Sequence, residues 1–350
     1  MSQLAQPFVD YLARRLPLVE RALRQAADAP LTEGSCAPDL SRYLYGPLAR
    51  FTASGGKRVR PALCLLGSEA VGGQAEDALS CAVAVELFQS AALIHDDIAD
   101  EGELRRGEPC LHRTEGTGLA INAGDLALTQ VFEVVLADPR LNDARKLRAL
   151  GELVQMERHT LEGQALDLGW VRNARWDVTS EDYLYMVTSK TAWYSAAIPL
   201  YVGALAGGGS EEAARGLLEL GLTAGVAFQL QDDLLNLVGD AEAQGKDFRS
   251  DITEGKRTLA VVWALEHLDG EKNAQLVDLL ASGTTDPAKL AKAVELIERG
   301  GGIERCRELA RERADQAKAL ADELVAASSI TVEARDLLVS MADFFVERAG

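Results

Sequence analysis

LIHDDIADEGELRRG, Leu93–Gly107, is the stretch from which the rest of the chain is read. Asp96 and Asp100 stand four residues apart, so on a helix their carboxylates share one face, and Gly102 lets the chain turn and bring Arg105 and Arg106 back toward them. Like charges at that spacing cost a helix roughly 0.2–0.5 kcal/mol, a penalty that a cation removes. An acidic helix end facing water has the same pattern, so the motif alone leaves both readings open. A second copy, AFQLQDDLLNLVGD, places Asp232 and Asp233 at the end of another apolar segment, followed by Lys246, Lys256 and Arg257. Two such ends facing each other suit hard cations: Mg²⁺ takes one or two carboxylates, retained waters and the oxygens of a substrate phosphate. The nearby bases then meet the outer phosphate oxygens.

Outward from these clusters the pattern is helical. Apolar residues recur at helical spacing from Phe8 to Ala26, a loop follows at PLTEGSCAP, and a second helix starts near Asp39. TASGG closes it, and Pro61 fits the first turn of the next, which puts Lys57, Arg58 and Arg60 at a loop-to-helix junction. Gln74–Asp100 reads as a long central helix delivering the first acidic cluster. Further helices are expected over Gly118–Ala137, from Asp143 to about Leu168, after a Thr179/Asp182 capping box, and from Glu211 to the second cluster. The run GDAEAQGKDFRSD reads as a loop. Leu259–Leu268, a helix capped by Asp286 with Pro287 at its first position, and amphipathic helix to Ala349 broken at RGGG and SSIT complete the chain. Nothing alternates with period two, so the expected fold is all-α. Residues 1–350 are read as one domain, a helical bundle around a central apolar cavity into which both clusters point.

A formal net charge of -18 excludes a nucleic-acid surface and simple attraction to anionic lipid, both of which need a positive field. A polyanionic substrate therefore needs local countercharge, supplied by metal on the aspartates and by the Lys and Arg clusters. Five cysteines, odd in number and without CxxC spacing, suit free thiols in a reducing compartment and no zinc site. The N-terminus lacks an apolar core of signal-peptide length, and the chain is expected in the cytoplasm. Ala192–Gly209, eighteen residues without a charge, is near the roughly 17–25 that cross a bilayer, but Pro199 and its glycines make it a buried helix and no membrane span is expected.

The motifs in this order resemble the trans-isoprenyl diphosphate synthases, the head-to-tail prenyltransferases, from GGKRVRP to EGKRT: DDIADEGELRRG is similar to the family's first aspartate-rich motif, and FQLQDDLLN, GKDFRSD and EGKRT to its second region. The resemblance implies that Asp96, Asp100 and Asp232 bind two or three Mg²⁺ ions, with Asp97 and Asp233 beside them. It gives Arg105, Lys190 and Lys246 to the allylic diphosphate. Lys57, Arg60, Gln89 and Arg106 go to the diphosphate of isopentenyl diphosphate. Thr191, Gln229, Gln164 and Asp167 would line the site, with Lys256 a further substrate contact. Gln89 stands where many members carry His, and Asn236 where a third aspartate is common, which implies weaker metal binding. A homodimer is implied as well.

In the reaction so implied, cations stabilise the diphosphate leaving group as the allylic C–O bond breaks, the isopentenyl double bond adds to the carbocation, and a proton leaves to the released diphosphate. An apolar cavity keeps water from trapping the cation. The growing chain runs back along the helix carrying Asp96, where Ala91 and Ala92 leave the first turn open. Phe88, about 12 Å down the helix at 1.5 Å per residue, is the candidate floor, which points to geranylgeranyl diphosphate, with farnesyl or C25 and longer products as alternatives. A class I terpene cyclase shares the metals but has no use for a second diphosphate site at Lys57, Arg60 and Arg106. A non-catalytic partner subunit would typically lose the acidic motifs. His95 reads as hydrogen-bonded scaffold, Cys110 as a small side chain, and Lys256 and Arg257 also admit a reading as solvated loop charges.

Overall fold

The structure is a computed structural model describing residues 3–26, 34–239 and 248–347. In chain order its helices of functional interest are α1 (Gln6–Ala26), α2 (Gly46–Ala53), α3 (Val59–Ala70), α4 (Leu79–Ala99), α5 (Thr117–Leu136), α6 (Asp143–Arg172), α7 (Ser180–Val187), α8 (Ile198–Ala206), α9 (Glu211–Val238), α10 (Ser250–Glu254), α11 (Leu259–His267), α12 (Gly270–Ala281), α13 (Pro287–Arg299), α14 (Gly302–Ala326) and α15 (Val332–Glu347). The fold is all-α. Its one departure among the described residues is a two-residue-per-strand hairpin, Leu104–Arg105 against Glu108–Pro109, with Arg106 and Gly107 both at positive φ (55° and 83°). Those angles are the type I′ turn that a two-residue hairpin favours, and strands of two residues are too short to show alternation in sequence.

Burial follows the apolar faces. α4 is apolar nearly all round and packs along α5 and α3, while α9 packs on α14. The two ends of the chain meet: the Phe8 N–H donates to Ser340 Oγ (3.1 Å), and the Phe8 and Phe344 rings lie 5.5 Å apart.

Several boundaries differ from expectation for local reasons. α6 runs on to Arg172, four residues past the expected end, because chain reversal waits for Ala174 at φ 48°. The apolar stretch expected as one buried helix is π-helical over Thr188–Ala197 before continuing as α8. Pro199 cannot donate the hydrogen bond that an α-helix would send to the Ser195 carbonyl, and wider turns precede it. Within the loop expected at GDAEAQGKDFRSD, residues 240–247 lie outside the described residues, and α10 forms at its end.

Candidate active site

The first acidic cluster sits at the C-terminal end of α4, and its neighbours divide the work. Asp96 faces a cavity of about 330 Å³, accepts from Gln164 Nε2 (3.0 Å) and lies 3.7 Å from Arg105. Asp97 turns inward, 2 % exposed, and accepts from Arg105 Nε and Nη2 at 2.8 and 2.5 Å. Burial works against the charge on Arg105, and the hydrogen bonds and field of Asp97, with that of Asp96, more than offset it. Asp97, expected beside the metal ligands, is therefore the residue that holds Arg105 on the cavity wall. Asp100 is pushed up to about 6 by burial, then by Asp96 and Glu254, against the pull of Lys256 3.6 Å away.

The second cluster comes from α9, and Asp232, Asp233 and Asn236 line the same cavity as Asp96. Asp233 accepts from Tyr183 Oη (2.5 Å) and Gln229 Nε2 (2.8 Å), yet burial and the nearby Asp251 push it up to about 7. Thr191 donates to Gln229 (3.1 Å), which extends this chain of bonds to the π-helical stretch. Lys190 Nζ donates to Asp167 at 2.5 Å, and α6 and the π-helical stretch approach so closely that a Cβ on Gly163 would stand 2.3 Å from the backbone nitrogen of Lys190. Only glycine fits there.

The Lys57–Arg60 junction is not part of that lining and adjoins the cavity through Tyr194, which Arg60 contacts. Arg106 Nη1 donates to the Gly55 carbonyl (2.5 Å) and lies 3.3 Å from Ser54 Oγ, so the hairpin turn brings it onto the loop before Lys57. Its pKa is lowered, first by burial and then by the neighbouring Arg58, Arg105 and Arg60, against the opposing field of Glu86. Arg60 lies over the Tyr194 ring (4.4 Å) and donates to Ser195 (2.9 Å) and Tyr194 (3.1 Å). Gln89 bridges: its amide donates to Glu86 (3.1 Å) and accepts from Arg60 Nη1 (3.0 Å). Expected as a phosphate donor, it has one N–H committed to Glu86. Arg58, in the left-handed conformation before α3, is buried and paired with Glu86 (2.5 Å) and Glu20 (2.7 Å).

An apolar cavity of about 290 Å³ adjoins the polar one, and Leu93, Asp96, Lys190 and Tyr194 border both. Phe88, 3 % exposed, and Ala92 line it, with the Phe88 ring edge-on to Tyr194 at 5.7 Å. Ala91, expected on the same wall, packs instead in the buried group of Leu48, Ile94 and Ala120. A step of one residue turns a helical side chain by about a third of a circle, enough to take it off a wall.

Lys246 lies outside the described residues. Lys256 is no solvated loop charge: it lies 2.6 Å from Glu254 and 3.6 Å from both Asp251 and Asp100, whose fields, against burial, hold it well above its usual value. Arg257 is 2 % exposed, stacked 3.7 Å over Trp176, and burial lowers it to about 10. His95 is scaffold, 3.4 Å from the Ile121 carbonyl and 3.6 Å from Asp125. Cys110 is buried, and all five cysteines are thiols. Asp251, Glu86 and Tyr194 escaped the sequence reading as individual residues; for Asp251 the signal was its place in GKDFRSD.

The donor chemistry fits Mg²⁺. The acids facing the cavity are oxygen ligands, and among the described residues no three candidate ligands converge tightly enough to hold an ion unaided. Mg²⁺ suits so sparse a set of carboxylates, because it would draw its remaining ligands from water and substrate phosphate.

Countercharge fit for a diphosphate beside an apolar cavity fit for a hydrocarbon places the protein in the class of all-helical isoprenoid diphosphate enzymes. The family model described as Polyprenyl synthetase matches residues 41–297, the chain belongs to that family, and it is a trans-prenyltransferase. A short chain isoprenyl diphosphate synthase of Methanothermobacter thermautotrophicus is 42% identical over 84% of this chain and 87% of its own. A geranylgeranyl diphosphate synthase of Methanosarcina mazei is 35% identical over 97% and 98%. The crystal structure of a geranylgeranyl pyrophosphate synthetase from Pyrococcus horikoshii superposes with a TM-score of 0.86, at 31% identity, over 98% of this chain and 99% of that one.

Proposed function

We propose that the chain condenses isopentenyl diphosphate with an allylic diphosphate to give an all-trans product, chiefly geranylgeranyl diphosphate, as one synthase domain over residues 1–350. The observation that carries this is the polar cavity bordered by both aspartate motifs, which shares Asp96, Lys190 and Tyr194 with an apolar cavity reaching Phe88. Asp96, Asp100 and Asp232 would hold Mg²⁺, which when bound neutralises the departing diphosphate. Arg105, Lys190 and Lys256, with Lys246, orient the allylic diphosphate and oppose its growing charge as the C–O bond ionises. Lys57, Arg60 and Arg106 hold isopentenyl diphosphate with its double bond toward the cation. The released diphosphate takes the proton lost after addition, and apolar walls exclude water. Length is set by Phe88, and relatives named for geranylgeranyl and geranylfarnesyl products accord with a chain longer than fifteen carbons.

The protein acts as a homodimer in the cytoplasm. What supports the dimer is α5, predominantly apolar yet only 39% buried over its most apolar stretch, together with the exposed stripe of Leu147, Val154, Leu161 and Leu168 at seven-residue steps on α6. Leu161 and Leu168 also wall the apolar cavity, so a second copy there shields it from water. The helices at Ala75–Ala99 and Thr117–Leu136 are long and apolar enough to cross a membrane by length and composition. The first is 72% buried in its most apolar window, as a core helix is, and the second is the helix assigned here to the interface.

The test is incubation of the chain with Mg²⁺, isopentenyl diphosphate and, separately, dimethylallyl, geranyl or farnesyl diphosphate, followed by sizing of the dephosphorylated products. A twenty-carbon main product supports the proposal. No product from any primer rejects it in favour of the companion subunit.

A further inference from the structure

Asn236 stands one helical turn beyond Asp232, where the resemblance sets a third aspartate, and although it borders the cavity its carboxamide is bonded to the turn that follows. Its Nδ2 donates to Ser250 Oγ (3.0 Å), its Oδ1 accepts from the Asp251 N–H (3.3 Å), and its backbone carbonyl accepts from the Arg249 N–H (2.8 Å). These bonds join the end of α9 to the start of α10. A helix start leaves N–H groups without intrahelical partners, and a side chain at the N-cap usually takes one of them. Here the residue at that place is Arg249, in the left-handed conformation (φ 64°) and making no side-chain cap. Arg249 carries no acceptor, so the cap has to come from another segment, and the Asn236 carboxamide supplies it.

What α10 carries gives the bond its consequence. It begins with Ser250 and Asp251, ends at Gly255 in the left-handed conformation (φ 66°), and the Lys256 N–H returns to the Asp251 carbonyl (2.9 Å). That reversal sets Lys256 across the cavity, 3.6 Å from Asp100. The second aspartate helix, the α10 turn and the first aspartate helix are thus linked through Asn236 and Lys256. A carboxylate at position 236 could still accept from the Asp251 N–H but has no hydrogen to give to Ser250 Oγ, and it would stand one turn from Asp232 and against Asp251, already pushed up by burial.

We propose that Asn236 is a positioning residue, a neutral cap supplied from α9 to α10 that holds Lys256 opposite Asp100 whether or not a cation is bound. It acts through Ser250, Asp251 and Lys256 and is not a weakened metal ligand. The proposal builds on the site reading above, but its first readout is independent of catalysis.

Hydrogen exchange of the 249–256 backbone, followed by mass spectrometry on the metal-free full chain, is the primary test. Loss of a cap predicts about a three- to thirtyfold faster exchange there in Asn236→Ala, with the rest of α9 unchanged. Ser250→Ala, which removes one bond and leaves the Asp251 N–H capped, gives a smaller rise and serves if Asn236→Ala does not fold. In Asn236→Asp the metal-free segment exchanges faster than in the parent, and added Mg²⁺ with inorganic diphosphate restores protection. In activity, Asn236→Ala raises KM for the allylic diphosphate more than it lowers kcat. Unchanged exchange in both alanine variants overturns the proposal. So does an Asn236→Asp variant that needs less Mg²⁺ while its metal-free exchange matches the parent, since position 236 would then act on metal alone.

Discussion

Asp96 and Asp97 are adjacent and identical in kind, and one faces the cavity while the other is buried under Arg105. On a helix a single step turns a side chain by about a third of a circle, so paired aspartates at a helix end divide naturally into one that faces the cavity and one that supports its wall. Asp97→Asn should leave the Mg²⁺ requirement in place but loosen Arg105. A fall in kcat/KM for the allylic substrate of about 10- to 100-fold is expected from steady-state kinetics, the scale of a slightly misplaced binding group. Glu86, 2 % exposed between Arg58 and Gln89, carries more stability. Its replacement by Ala should cost about 3–5 kcal/mol in chemical unfolding, because it leaves a buried guanidinium short of its partner. The sequence offered the chemistry of these sites but not the division of labour. Motif and order named Asp96, Asp232, Lys190, Arg105 and Arg106 as candidates, and all but Arg106 border the cavity, whereas Gln89 and Asn236 turn on which of their hydrogen bonds are already taken, and that depends on residues distant in sequence.

Among the elements, helical periodicity located α1, α4, α6 and α9 because each is long enough for its apolar face to repeat. The hairpin at Leu104–Pro109 and the π-helical Thr188–Ala197 were not legible, the first for its shortness and the second because it reads as plain apolar helix until a proline downstream alters its hydrogen bonds. The π-helical stretch carries Lys190, Thr191 and Tyr194, so its placement against α6 decides the site. Gly163→Ala should therefore cost about 1–3 kcal/mol and reduce activity beyond its effect on stability, as read from thermal unfolding beside turnover. On α6, burial alone pushes the Glu157 carboxyl up from 4.5 to about 7. The folded state keeps that proton while the unfolded chain has released it, so between pH 4.5 and 7 this group's contribution to stability falls as pH rises. Glu157→Gln should accordingly raise the melting temperature at about pH 8 and change it little at about pH 4.

For the whole molecule, a net charge of -18 surrounds a site built for diphosphates, and the contradiction is resolved by cations gathered locally around Arg60, Arg106 and Lys190. The stripe on α6 joins the outer surface to the apolar cavity. Val154 is an exposed member of that stripe, and Val154→Glu should yield monomer in sedimentation and shift the product spectrum without touching the aspartates. Phe88→Ala opens the cavity end and should lengthen the main product by one or more five-carbon units, as chain sizing reads. The central claim is that both aspartate motifs serve one diphosphate whose hydrocarbon points at Phe88. A crystal structure with Mg²⁺ and an allylic thiolodiphosphate, which resists ionisation, tests it most directly. The expected result is ions between the diphosphate and Asp96, Asp100 and Asp232 with the chain running toward Phe88; a diphosphate bound to one motif alone, or a chain directed away from Phe88, would contradict it.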